Sequence, residues 1–193
     1  MDIKVFYGLV AVVLAFISSF IYIRDIFRGN TKPHTYTWLI WAIVTAIAFL
    51  GQVVSGGGPG AWATGASTLV TIFVFFLSFK YGTDNITTFD KVCLALALMA
   101  MLPWLLAESV LWSVILASAI DMIGFFPTMR KTWHAPTSES LSSMWVDSAK
   151  HTLSIVALRN YSMVNWLYPA MVLVTKVIII SEIVFLRYIR KKL

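Results

Sequence analysis

Charged residues and cysteines are scarce in this chain of 193 residues. Only 12% of the residues are charged and Cys93 is the single cysteine, whereas soluble domains carry about 25% charged residues. A lone cysteine excludes disulfide bonds within the chain. The low charge excludes an ordinary soluble domain, because water could not solvate the surface of a chain that is 59% hydrophobic. The sequence also has no metal-ligand spacing, nucleophile triad or heptad repeat, so we expect no metal and no other cofactor.

Long apolar segments are what the sequence has instead. A membrane-spanning helix needs about 20 predominantly apolar residues. Seven apolar segments can be drawn, at residues 4–27, 37–55, 61–80, 91–107, 109–129, 141–159 and 164–188. They do not alternate between polar and apolar residues, which favours helices over the strands of a β-barrel. The sequence therefore predicts an all-α, multi-pass membrane protein with seven transmembrane helices, the fourth of them short.

The basic residues predict the orientation of these helices. Eleven of the 15 Lys and Arg residues follow segments one, three, five and seven, at one end of the predicted bundle. They are Arg24, Arg28, Lys32, Lys80, Lys91, Arg130, Lys131, Arg187, Arg190, Lys191 and Lys192. Cytoplasmic loops carry such an excess of positive charge, so we expect a protein of the cell (inner) membrane with its N-terminus outside and its C-terminus in the cytoplasm. The net charge of +6 is then explained by the orientation of the protein in the membrane, and no nucleic-acid partner is expected.

A weak internal repeat relates the two halves of the chain. Residues 20–41 and 124–145 both leave an apolar segment through a basic cluster, cross a proline-containing loop and reach a tryptophan. Segments one to three then correspond to segments five to seven. Because a single linker helix lies between them, the two triplets are parallel and related by an axis along the membrane normal. The predicted organisation is 3+1+3: a repeat at 1–82, a linker helix at 83–107 and a second repeat at 108–193.

This arrangement resembles the PQ-loop superfamily, which includes the SWEET sugar transporters and cystinosin-like carriers. Besides topology, the resemblance is carried by residues 125–145, where Pro127 stands at the motif proline and Thr128 where glutamine is usual. The matching place in the first repeat has no proline. The chain is also similar to small bacterial membrane proteins with the pattern KPxxxTWxxW after the first helix, here at 32–41. The first resemblance implies a small-solute transporter, and the second implies no activity.

Five ionisable side chains fall inside the last three predicted helices. Asp147, Lys150 and His151 lie at i, i+3 and i+4, so they share one helix face, while Asp121 and Lys176 lie near the middle of segments five and seven. A charge at the bilayer centre costs at least about 2.5–3.5 kcal/mol and needs a partner or water. We therefore predict that these five side chains bind a polar or charged solute, with His151 able to exchange protons. The alternative is a buried salt-bridge network that only fixes helix register.

Four more residues are candidates for the transport machinery. The repeat places Trp41 and Trp145 alike, about one turn inside the membrane, so both are predicted to bind the solute; the alternative is an interfacial aromatic belt. Gly124 and Pro127 follow Asp121 towards the cytoplasm. Because proline removes a backbone hydrogen bond and permits a kink, these two residues are predicted to form a hinge. The alternative is a static kink that improves packing.

Three classes of function fit these features. The first is a small-solute transporter, and the second is a membrane receptor or sensor without net transport. The third is a Schiff-base chromophore protein that uses Lys176, although position 172 is Val where an Asp-x-x-x-Lys pattern would require an acid. A membrane enzyme is left as a further class, for which no catalytic residues are predicted. The expected partners are the solute, protons and the lipid bilayer, and a homo-oligomer is left open.

Overall fold

The computed structural model describes residues 2–29, 33, 35–82, 88–99, 102–107, 109–125, 129, 132–133, 136 and 141–192. The regular secondary structure of these residues is all helical. The helices are α1 (Ile3–Phe27), α2 (Thr35–Val54), α3 (Trp62–Tyr81), α4 (Thr88–Met99), α5 (Leu102–Ala107), α6 (Val110–Gly124), α7 (Leu141–Val156) and α8 (Met163–Lys192). A short 3₁₀ helix at Gly58–Ala61 leads directly into α3.

Four stretches are long and apolar enough to cross a membrane. They are Ile3–Phe27, Thr35–Val54, Gly58–Tyr81 and Met163–Ile189. The helices α6 and α7 have 15 and 16 residues, which is about 22–24 Å of helix and less than the roughly 30 Å of a bilayer core. The predicted class, a helical membrane protein, is confirmed at this level.

Several helices end earlier than the apolar segments suggested. Segment five was expected to reach residue 129, but α6 ends at Gly124, where the Phe125 N–H bonds the Met122 carbonyl at 3.1 Å. The nearby Pro127 gives a reason in the sequence, because proline disfavours helical geometry in the residue before it. Segment six ends at Val156 instead of 159, since the Arg159 N–H donates to the Gly57 carbonyl at 3.1 Å.

Apolar side chains cover the outside of the bundle. Phe20, Leu69 and Phe79 are each about two-thirds exposed, whereas serines, threonines and several charged groups lie in the interior. Soluble proteins bury apolar side chains and expose polar ones. A surface of this kind is stable in contact with lipid, so the distribution of side chains agrees with the apolar helices in indicating a membrane location.

Small residues let the helices approach closely. The buried side of α1 carries Gly8, Ala11, Ala15 and Ser18, and a Cβ atom on Gly8 would lie 2.7 Å from the carbonyl oxygen of Pro59. Such small-residue stripes are typical of helix contacts in membranes. They allow α1 to pack on α3 and α7, while α2 packs on α3 and α6, and α8 packs on α6 and α7. The helix α4 packs on α2 and α6.

The two ends of the bundle differ in character. One end, here called the Gly-rich end, holds Asp2 and the loops 55–60 and 157–162. There the Asp2 carboxylate pairs with Arg159 at 3.2 Å, and the Lys4 ammonium donates to the Leu158 carbonyl at 2.5 Å. The Lys4 backbone N–H and the Arg159 guanidinium hold the pKa of Asp2 below its usual value. The opposite, basic end carries Arg24, Arg28, Lys80 and Arg187.

Candidate functional site

The helix α7 presents three of the predicted site residues on one buried face. Asp147 and Lys150 form an ion pair with 2.6 Å between the carboxylate Oδ1 and the ammonium Nζ. The imidazole Nε2 of His151 lies 3.8 Å from the other carboxylate oxygen. Residues three and four apart are neighbours on a helix surface, so the local sequence alone explains this arrangement. Lys150 and His151 are both buried, with 5% and 4% of their surface exposed.

Lys176 joins this group from the neighbouring helix α8. Its ammonium lies 3.3 Å from Asp147 Oδ2, so the carboxylate of Asp147 is shared by two lysines. Buried charges of this kind are stable only when their geometry and their hydrogen bonds compensate for lost hydration. The side chains of Asp147 and Lys176 retain 16% and 17% exposure. They are therefore only partly buried.

The first half of the chain also contributes to the group. Ser67 of α3 accepts a hydrogen bond from the Lys150 ammonium at 3.1 Å. Ser67 was not among the predicted site residues, because serine in a membrane helix more often serves packing. Its contact with Lys150 links α3 to α7. We call Asp147, Lys150, His151, Lys176 and Ser67 the charged cluster.

Asp121 lies beside the charged cluster, on α6. It is 5% exposed and accepts a long hydrogen bond of 3.5 Å from the hydroxyl of Tyr168. It also interacts electrostatically with Lys176 and Asp147. The structure therefore brings Asp121 near the cluster. Its depth is similar to that of Lys176, at about 17 Å along α6 and about 20 Å along α8 from the Gly-rich end. Tyr168 was not predicted to lie at the site. The only indication in the sequence was its position about two helical turns before Lys176.

Aromatic rings connect the charged cluster to the basic end. The Lys176 ammonium lies 5.0 Å from the centre of the Phe125 ring, a cation–π contact. The rings of Phe125, Trp41, Trp38 and Tyr22 then follow one another with centroid separations of 6.0, 5.1 and 5.0 Å. Trp41 is thus two rings from Lys176, and we call these four side chains the aromatic column.

Trp145, the repeat counterpart of Trp41, is placed differently. Its side chain is 58% exposed on α7, and the structure does not bring it into the aromatic column. The reason is helical geometry. Trp145 and Asp147 are two residues apart, and residues at this spacing do not face the same side of a helix. With Asp147 turned inwards, Trp145 is turned outwards.

The predicted hinge is described only in part. Gly124 is the last residue of α6, and a Cβ atom added there would lie 3.6 Å from Trp41 Nε1, an ordinary contact distance. Pro127 lies outside the described residues. The helix therefore stops where the hinge was predicted, between Asp121 and the basic end.

A surface groove of about 350 Å³ lies elsewhere, between α1 and α3. Its lining consists of Phe16, Ser19, Phe20, Ile23, Leu69, Val70 and Phe73. These side chains are almost all apolar and belong to the lipid-facing surface. The groove is therefore unsuited to a polar or charged solute, and the charged cluster is the better candidate site.

Comparisons with protein-family models, with curated proteins and with solved structures find no match for this chain. The charged cluster is therefore the feature of the molecule that indicates a function.

Proposed function

We propose that this chain is a small-solute membrane transporter whose charged cluster binds a polar or charged solute near the bilayer midplane. The observation that carries the proposal is Asp147, shared by Lys150 and Lys176 inside an apolar bundle. Ionisable groups inside membrane helices mark solute pathways, proton relays or ligand counter-ions by default. Because two ammonium groups share one carboxylate, one of them can pair with an anionic group of a solute while the other keeps Asp147 as its partner.

The helix packing supports the 3+1+3 arrangement that we propose for this transporter. If α1, α2 and α3 are exchanged for α6, α7 and α8, the contact of α1 with α7 becomes that of α6 with α2. In the same way the α2–α3 contact becomes α7–α8, and α1–α3 becomes α6–α8. Two parallel triplets related by an axis along the membrane normal would pack in this way. The arrangement resembles that of the PQ-loop superfamily, with α4 and α5 between the triplets.

Proton coupling is part of the proposal. His151 lies 3.8 Å from the Asp147 carboxylate and is buried. Histidine is the side chain that most readily exchanges protons near neutral pH. A proton taken up by His151 would change the charge balance around Asp147 and thereby the affinity of the cluster for a charged solute.

A ligand-stabilisation screen followed by uptake into proteoliposomes tests the function. A compound that binds the folded protein must raise its unfolding temperature. We expect a hit among small charged or zwitterionic solutes, lost in Asp147→Asn and kept in Asp25→Asn. Asp25 is a matched control, because its ion pair with Arg24 at 3.2 Å is partly exposed and lies at the basic end, away from the cluster. Uptake of the hit, driven by a pH gradient, would establish transport and its coupling.

Two other functions could use this site, and experiments on the same purified protein distinguish them from transport. A receptor or sensor would bind the hit but would not move it across proteoliposomes. The distance of 3.3 Å between Lys176 and Asp147 also suits a Schiff-base lysine and its counter-ion. Visible absorbance of the purified protein, lost in Lys176→Ala, would favour that function and contradict the transporter proposal.

A further inference from the structure

The longest helix, α8, contains a proline, and another helix supplies the hydrogen bond that this proline cannot make. Pro169 lies inside α8. Because proline has no N–H, the carbonyl four residues earlier, that of Asn165, loses its helical partner. Asn165 is fully buried, with 0% exposure. A buried carbonyl without a donor is unfavourable, so Pro169 requires a donor from outside α8.

Gln52 supplies that donor. It lies in the last turn of α2, is 0% exposed, and its side-chain Nε2 donates to the Asn165 carbonyl at 2.7 Å. The Asn165 side chain in turn donates to the carbonyls of Ser55 and Asn160, at 3.0 and 2.8 Å. These contacts join α2 and the loop 55–57 to the start of α8. We call Gln52, Ser55, Gly57, Asn160 and Asn165 the outer junction.

Gly57 is needed for this close approach. Its N–H donates to the Gln52 carbonyl at 2.7 Å. A Cβ atom at position 57 would lie 2.9 Å from that carbonyl oxygen and 3.2 Å from Asn165 Oδ1. The outer junction is therefore tight, and a larger residue at position 57 would push α2 and α8 apart.

Two acceptors of the outer junction remain without a donor. Gln52 Oε1 and Asn165 Oδ1 are buried and have no hydrogen-bond partner among the described residues. Their amide nitrogens are already used, so turning either amide over would break a bond. Each unpaired buried acceptor lowers the stability of the closed junction. If α8 moved away from α2, water could reach both oxygens, and this gain would offset the loss of the Gln52 bond.

We propose that Gln52 is a positioning residue that holds a gate at the Gly-rich end closed by supplying the hydrogen bond that Pro169 removes from α8. The gate opens when this bond is exchanged for water and α8 bends at Pro169. The bend lies next to Tyr168, which bonds Asp121, and about 10 Å before Lys176. Its movement therefore changes access to the charged cluster. The proposal rests on the proposed transport function for its purpose, but its hydrogen-bond logic can be tested alone.

The hydrogen-bond logic is tested by a double-mutant cycle on unfolding temperature in detergent. Gln52→Met keeps the length of the side chain and removes the donor, so we expect a loss of several degrees. Pro169→Ala restores an N–H that can bond the Asn165 carbonyl. In that background Gln52→Met should cost less than half as much. An equal loss in both backgrounds, or a double variant that fails to fold, would overturn the proposal. Thr45→Val is a buried control in α2, where the Thr45 hydroxyl bonds its own helix and Thr71. Its loss of unfolding temperature should be the same with and without Pro169→Ala.

Gate opening is tested by thiol labelling from the Gly-rich side. Val164 packs against Gly51 of α2, where a Cβ atom would lie 3.3 Å from its side chain. In a Cys93→Ala background, Val164→Cys should react slowly with a charged, membrane-impermeant maleimide. Gln52→Met should raise the labelling rate about ten-fold, and adding Pro169→Ala should return it towards the slow rate. Unchanged labelling in a protein that still takes up solute would overturn the gate alone. Labelling that is faster in Gln52→Met and slow again with Pro169→Ala, in a protein that takes up no solute, would support the gate and overturn the transport function.

Discussion

At the scale of single residues, Asp147 holds the candidate site together. Its two carboxylate oxygens face Lys150 at 2.6 Å, Lys176 at 3.3 Å and His151 at 3.8 Å. Each lysine has the carboxylate as its partner, and Lys150 also has Ser67. Loss of Asp147 therefore removes the carboxylate partner of two ammonium groups, whereas loss of Lys176 leaves Asp147 paired with Lys150. The site is asymmetric in this respect.

This asymmetry predicts the order of two destabilisations. Breaking a buried pair by removing one partner costs about 3–5 kcal/mol, and we expect this range for Asp147→Asn. Lys176→Met should cost less, and the double variant should cost less than the sum of the two. Thermal unfolding in detergent measures all three. Additive losses would show that the two residues do not interact.

A second prediction at this scale separates the two tryptophans that the repeat makes equivalent. Trp41 packs between Trp38 and Phe125, so Trp41→Ala should cost about 3–5 kcal/mol, as for other truncations of large packed side chains. Trp145 is 58% exposed, and Trp145→Ala should stay within about 0.5 kcal/mol of wild type. The same unfolding measurement decides the matter. Equal losses would contradict the different environments of the two side chains.

At the scale of helices, the end of α6 connects the site to the basic end. The helix stops at Gly124, three residues after Asp121, and Phe125 then packs against Lys176. A change in the backbone after Gly124 would move the Phe125 ring, and with it one wall of the charged cluster. A mobile joint and a static kink are both compatible with this geometry, and the two differ in their effect on the rate of transport.

The hinge prediction concerns rate rather than stability. Gly124→Ala meets no close contact, since its Cβ would lie 3.6 Å from Trp41, and alanine favours the helix over glycine by about 1 kcal/mol. We therefore expect unchanged or slightly raised stability, unchanged equilibrium ligand binding and slower uptake. Pro127→Ala should act in the same direction. Uptake at the wild-type rate in both variants would remove the hinge from the mechanism, though not the charged cluster.

At the scale of the whole molecule, charge and surface together set how the chain lies in the membrane. The outer surface is apolar, and the basic side chains gather at one end. The Gly-rich end carries the exposed pair of Asp2 and Arg159 and lacks a comparable excess of positive charge. From the positive-inside rule we therefore predict that the basic end faces the cytoplasm.

Cysteine labelling in intact cells tests this orientation. In a Cys93→Ala background, Asn160→Cys at the Gly-rich end should react with an impermeant maleimide added outside. Lys32→Cys should react only after the cells are opened. Both positions should react in permeabilised cells, which serves as the control for accessibility. Labelling of position 32 from outside would reverse the orientation and exchange the inner and outer sides of the proposed gate.

The sequence by itself determined the helical membrane class and the face shared by Asp147, Lys150 and His151. Both follow from local rules: the length of apolar segments and the spacing of residues on one helix. The helix end at Val156 was missed because it depends on a contact with another segment, the bond from Arg159 to Gly57, whereas the end at Gly124 has a local reason in Pro127 that the length of the apolar segment concealed. Distances between side chains on different helices could not be predicted from the sequence either.

Only the tertiary structure placed Lys176 on Asp147, Ser67 on Lys150 and Tyr168 on Asp121. It also separated Trp41 from Trp145, because rotation of a helix about its axis is set by packing and not by a repeat. The hydrogen bond from Gln52 to the Asn165 carbonyl, which Pro169 leaves without a helical donor, joins residues 113 positions apart. No local sequence pattern predicts a donor at that distance.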